Sequence, residues 1–165
     1  MRVHLGSDHA GFELKQAVAR RLGELGHEVV DHGPDQYDPV DDYPPFVLRA
    51  ARGVAGDPGS LGVVLGGSGN GEAMAANKVR GVRCALAWSV ETAALARQHN
   101  DANVVSLGAR MHDEAAALEL LEAFLATPYS GDERHTRRID MLSAYEQDGV
   151  LPSLPTAATT PGQPD

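Results

Sequence analysis

LGVVLGGSGNGE, residues 61–72, is the stretch on which the fold turns. Its first five residues are apolar or glycine, which suits one buried strand. Glycines then break the strand, and the small apolar run at 73–76 opens a helix. Reading outward, further β-rich runs lie at 2–6, 28–31, 83–87 and 103–107, alternating with helix-length segments. Leu14, Val18, Leu22 and Leu25 repeat at helical spacing, and Gly26 closes that helix. Helices are also expected over 45–55, 71–78, 89–99 and 113–126. Ser89 fits an N-cap, and Asp113 and Glu114 complement the positive end of the helix they begin. Such alternation implies right-handed crossovers and a parallel sheet covered on both faces. The expected architecture is therefore α/β, a three-layer sandwich around a five-stranded, mostly parallel sheet. A last helix is expected over 134–147.

The chain has 165 residues, enough for one domain with a proper core. Residues 1–149 are expected to form that domain. Residues 150–165, LPSLPTAATTPGQPD after Val150, are rich in Pro, Thr and Ala and are expected to be a disordered tail. Hydrophobic residues make up 42% and charged residues 22%, as in a soluble protein. No apolar run reaches the roughly 18 residues of a membrane span, and no signal peptide is expected ahead of the first strand. A cytoplasmic location is the default expectation. The single cysteine, Cys84, excludes an intrachain disulfide and a multi-cysteine metal site. With 23 acidic and 14 basic residues the net charge is −9, which opposes nucleic-acid binding but not the binding of one small anion.

In folds of this kind ligands sit beyond the carboxyl ends of the strands. The glycine loop at 66–71 lies there, and its N–H groups can converge on a phosphate or on an oxyanion that develops during reaction. It lacks the Lys-Ser/Thr of a P-loop and the spacing of a dinucleotide fingerprint. Glu72 follows it. A carboxylate in a first helical turn can simply complement the dipole. Small apolar neighbours at 73–76 would instead raise its pKa from about 4.3 toward the ~6–7 that suits a general base. Helix terminus and burial pull in opposite directions, so the sequence leaves the sign of the shift open.

Asp8 and His9 follow the first strand and, on an extended chain, would point to opposite sides. Either can cap the next helix, with Asp8 the better candidate. His99 and Asn100 end the fourth helix, where a histidine can also serve the negative dipole end. Arg110 follows the fifth strand. Arg134 and Arg138 share a helix face beside Arg137, which suits either a phosphate grip or a solvated basic face. The seven histidines form no metal-ligand spacing, so no metal is expected. Cys84 sits in an apolar run and reads as core rather than nucleophile.

Taken in order, Gly6-Ser7-Asp8-His9-Ala10-Gly11, Asp42-Tyr43-Pro44, the loop from Gly66 to Glu72, Ala75-Ala76-Asn77-Lys78 and Arg97-Gln98-His99-Asn100 resemble the ribose-5-phosphate isomerase B family. That family also includes the galactose-6-phosphate isomerase subunits, and the resemblance runs from Met1 to about Tyr145. It implies a Rossmann-like domain, a homodimer with the site at the subunit interface, no cofactor, and a place in the non-oxidative pentose phosphate pathway. The implied reaction interconverts ribose 5-phosphate and ribulose 5-phosphate through an enediolate. By the same resemblance Asp8 and His99 match the pair that opens the sugar ring. His9, Arg110, Arg134 and Arg138 match the phosphate binders. Asn100 and the segment Gly67-Ser68-Gly69-Asn70-Gly71 match the region that stabilises the enediolate, with the Ser68 hydroxyl shuttling a proton.

One branch of the family carries a catalytic cysteine at the place of Gly66. Glycine cannot replace it, so this chain is similar to the branch in which a glutamate at position 72 is the base. Other sugar phosphates (tetrose, allose or galactose phosphate) are the alternative substrates. A non-catalytic sugar-phosphate sensor is the alternative class.

Overall fold

All five strands form and all pair in parallel: β1 (Arg2–Ser7), β2 (Glu28–Asp31), β3 (Leu61–Gly66), β4 (Cys84–Leu86) and β5 (Val104–Gly108). The sheet order is β2-β1-β3-β5-β4. This computed structural model describes residues 1–154. Six helices are α1 (Phe12–Glu24), α2 (Pro44–Gly56), α3 (Asn70–Ala76), α4 (Val90–Asn100), α5 (Glu114–Ala126) and α6 (Glu133–Asp148). None of them is long and apolar enough to cross a membrane.

Alternation along the strands sorts the core into two sides. Val3, Leu5, Val63, Leu65, Val105 and Leu107 pack with Leu14, Val18 and Leu22 of α1, Ala93 and Ala96 of α4, and Leu121 and Phe124 of α5. On the other face Val64 and Val104 meet Val47, Ala50 and Val54 of α2 and Ala76 of α3. Helices therefore cover both faces, as a parallel sheet requires. The chain leaves β1 toward one face through α1, and leaves the neighbouring β3 toward the other through α3. Between adjacent strands whose helices diverge in this way a crevice opens at the carboxyl edge.

Local chemistry explains the element ends. Ser89 Oγ accepts from Thr92 N–H at 3.1 Å while Thr92 Oγ1 accepts from Ser89 N–H at 3.0 Å, a closed capping box. Asp113 caps α5 through Ala116 N–H at 2.8 Å. Leu25 departs from its expected place in the apolar stripe: it is the C-cap of α1 and 41% exposed. Gly26, at φ 78°, supplies the left-handed turn that ends the helix.

Lys15 of α1 is fully buried, and its ammonium donates to both carboxylate oxygens of Asp31 at 2.8 and 2.7 Å and to the Pro34 carbonyl at 2.8 Å. A buried ammonium needs such satisfaction. It fastens the end of β2 and the start of the following loop onto α1. At the other extreme α6 is almost wholly exposed. Only His135 is buried, while Met141, Leu142 and Tyr145 lie open along one stripe. Val150 and Leu151 are exposed and without regular structure. The rest of the expected tail, from 155 to 165, lies outside the described residues.

Candidate active site

Three strand ends and one loop meet in a cleft of about 440 Å³. Past β1, Asp8 caps a short 3-10 turn, His9–Gly11, with Oδ1 accepting from the Ala10 and Gly11 N–H groups at 2.9 and 3.1 Å. Because this turn ends the extended path, Asp8 and His9 line the same cleft and do not face opposite sides. Asp8 thus caps and lines the site together.

After β3 the chain passes Gly67 and Ser68 and turns at Gly69, φ 80°, into α3. The loop is held from β5. Ser106, buried, donates its hydroxyl to the Gly69 carbonyl at 2.7 Å. A Cβ on Gly108 would stand 2.8 Å from the Ser68 carbonyl oxygen, so only glycine lets the loop lie this close.

Glu72, in the first turn of α3, folds its side chain back toward β3 and is 4% exposed. Its carboxylate fills the space over Gly66, where any Cβ would overlap it. Burial raises the Glu72 pKa, its own N–H pulls it down, and the charge of Asp8 adds to the rise. The net direction is upward: desolvation outweighs the helix end. Cys84 is no rival, since burial and then the Glu72 charge push its thiol up to about 12.

Arg110, exposed and without an ion-pair partner among the described residues, passes over Gly67. His9 is held by Asp41, whose Oδ1 lies 2.8 Å from both the His9 N–H and Nδ1. Tyr43 enters above α3, where Gly71 leaves it room, a Cβ there being 2.8 Å from Tyr43 Cζ.

Asp8, His9, Gly67, Ser68, Gly71, Glu72 and Arg110 therefore line one cleft. Gly69 and Asn70 shape the loop without lining it. His99, Asn100, Arg134 and Arg138 do not line it either. His99 and Asn100 end α4, with the His99 ring 4.3 Å from that of His135, and the two arginines stand on α6. Burial, with the nearby His99 and Arg134, keeps His135 below the ordinary histidine range. The site residues that sequence reasoning missed are Asp41 and Tyr43. The Asp42-Tyr43-Pro44 run signalled the second; for Asp41 there was no signal.

One group among the described residues has metal-ligand types close together: Asp8, His9 and Asp41. Their hydrogen bonds to the 3-10 turn and to one another already account for the arrangement. A larger hollow of about 590 Å³ lies at the opposite edge of the sheet. Its Arg83 and Arg97 are both paired with Asp101, so neither guanidinium is free for an anionic ligand.

A family model described as Ribose/Galactose Isomerase matches residues 3–142. The chain is 57% identical over 157 residues to ribose-5-phosphate isomerase B of Mycobacterium tuberculosis, covering 95% of this chain and 97% of that protein. Its fold is similar to the crystal structure of ribose-5-phosphate isomerase B from Mycoplasma genitalium with bound ribulose-5-phosphate. There the TM-score is 0.86 and the identity 40%, over 89% of this chain and 97% of that one. It is also similar to the type B ribose 5-phosphate isomerase of Trypanosoma brucei, with a TM-score of 0.82 and 45% identity over 87% and 97% of the two chains.

Proposed function

The chain belongs to the Ribose/Galactose Isomerase family, and from that premise we propose that Glu72 is the base of its reaction. The protein is an isomerase that interconverts ribose 5-phosphate and ribulose 5-phosphate. The observation that carries the assignment of the base is the Glu72 carboxylate itself, buried, raised in pKa and seated over Gly66 in the cleft.

Asp8 and His99 move the proton that opens the furanose ring and frees the C1 aldehyde. Glu72 then takes the proton from C2, and the electron pair left behind forms the C1–C2 double bond of an enediolate with its charge on O1. The Ser68 hydroxyl carries a proton from O2 to O1. As the C2–O2 double bond forms, Glu72 returns its proton to C1 and the ketose results. Main-chain N–H groups of the glycine loop, with Asn100, stabilise the oxyanion, each good donor being worth about 3–4 kcal/mol elsewhere. His9, Arg110, Arg134 and Arg138 hold the phosphate, so that binding energy remote from the reacting carbons orients them.

Because His99, Asn100, Arg134 and Arg138 do not line the cleft of their own chain, they serve the cleft of a second copy. The bare apolar stripe of α6 and the exposed Met74, Trp88, Val90 and Met111 support such a homodimer. Mixing Glu72→Gln protein with an Arg134→Ala/Arg138→Ala double variant, each poorly active, then restores activity to about a quarter of wild type. Half of the dimers are mixed, and each of those holds one intact site. No recovery after subunit exchange would overturn the shared site.

The substrate reading is tested in heavy water, with a chelator present, on a panel of four- to six-carbon aldose phosphates. Ribose 5-phosphate should be turned over fastest, with exchange of the C2 hydrogen into solvent. A marked preference for a hexose phosphate would overturn it, and tight binding without exchange would indicate a sensor.

A further inference from the structure

Asp41 belongs to the irregular segment between β2 and α2. That segment is anchored by Lys15 to the Pro34 carbonyl, by Ser7 N–H to the Gly33 carbonyl at 3.2 Å, and by its own turn, Asp41 N–H to the Asp38 carbonyl at 3.2 Å. The Asp41 side chain is only 9% exposed. One of its oxygens, Oδ1, receives two bonds from a single residue, the main-chain N–H and the Nδ1 of His9. The other, Oδ2, is buried and without a partner among the described residues. Asp41 pairs with no other cationic group there.

An ionised carboxylate only accepts hydrogen bonds. Nδ1 of His9 must therefore carry the proton in this contact, which leaves Nε2 as the ring nitrogen free for a ligand. We infer that Asp41 is a positioning residue for this reaction: it fixes the His9 ring as the Nδ1–H form and holds it charged, with Nε2–H available to the substrate phosphate. The inference rests on the reading of His9 as a phosphate ligand. The charged groups facing His9 are Asp41 and Asp8, with Glu72 and Arg110 lining the same cleft. The hydrogen bond that His9 donates to Asp41 raises the His9 pKa more than partial burial lowers it, and the Asp8 charge adds to the rise. His9 thus keeps its proton to higher pH than an ordinary histidine, and phosphate binding weakens only as pH climbs through that raised value.

Asp41→Asn is the informative variant, because its amide oxygen can still accept both bonds while the charge is gone. KM for ribose 5-phosphate should rise about tenfold near pH 8, in line with the loss of one charge-assisted hydrogen bond. The ratio to wild type should shrink toward one at about pH 5.5, where His9 is protonated without help. The fall in kcat should be the smaller effect. A KM ratio independent of pH, or a loss confined to kcat, would mean that Asp41 merely braces the loop. A second measurement needs no variant: nuclear magnetic resonance of the histidine rings in the wild-type enzyme. His9 should show the Nδ1–H form and titrate above the ordinary value of about 6.5. An Nε2–H form, or a midpoint at or below that value, overturns the inference. His9→Gln separates the two ideas. If it leaves KM unchanged, the phosphate role of His9 fails, whereas the ring measurement judges Asp41 alone.

Discussion

Glu72→Gln is expected to lower turnover at least about 100-fold while KM for ribose 5-phosphate stays nearly constant, because the amide keeps the shape and loses the base. Near-normal turnover would remove Glu72 from the chemistry. The wild-type pH profile makes a linked statement. With Glu72 as the proposed base, turnover needs the ionised carboxylate, and because the Glu72 pKa is raised the acidic limb of kcat is expected above the ordinary glutamate range. Stability follows the same shift. Between the ordinary carboxylate value, which holds in the unfolded chain, and the raised folded value, the folded chain keeps a proton that the unfolded chain has released. Stability therefore falls as pH rises through that window and stays lower above it. Glutamine removes this burden, so the variant should melt higher than wild type at neutral pH, with the gap closing in acid. A lower Tm at neutral pH would contradict a raised pKa.

Gly66→Ala is expected to be nearly as damaging to activity, though position 66 has no side chain to lose. Gly66 is a strand residue without a positive φ, so alanine strains no backbone torsion there. Its methyl group collides with the Glu72 carboxylate instead. Displacing a general base by about an ångström can cost about 100-fold in rate, and overpacking a buried site costs roughly 1–3 kcal/mol. Adding Glu72→Ala should recover most of that stability and none of the activity, because the two positions share one volume. If Gly66→Ala alone kept full turnover, the carboxylate would not depend on that space.

Most of the scaffold was legible because each signal was local. Buried strands show as apolar runs, and Ser89 and Asp113 announce the helices they cap. Glu72 and the glycine loop were legible as a place, from their position after β3. The direction of the Glu72 shift was not, since it depends on how deeply the carboxylate is buried against Gly66, a contact between residues on a strand and on a helix. Asp41 escaped for a related reason. It lies 32 positions from His9, in a segment with no periodicity, whose path is set by Lys15, Gly33 and Pro34. His99 and the α6 arginines could be picked out of the sequence as candidates but not placed, and they do not line the cleft of their own chain.

The seat of the Glu72 carboxylate also bears on ancestry. Any side chain at position 66 would stand where the glutamate rests. The two positions compete for one volume, so substitutions at them are epistatic. A residue larger than glycine at 66 can be accepted only where α3 shifts or position 72 changes with it.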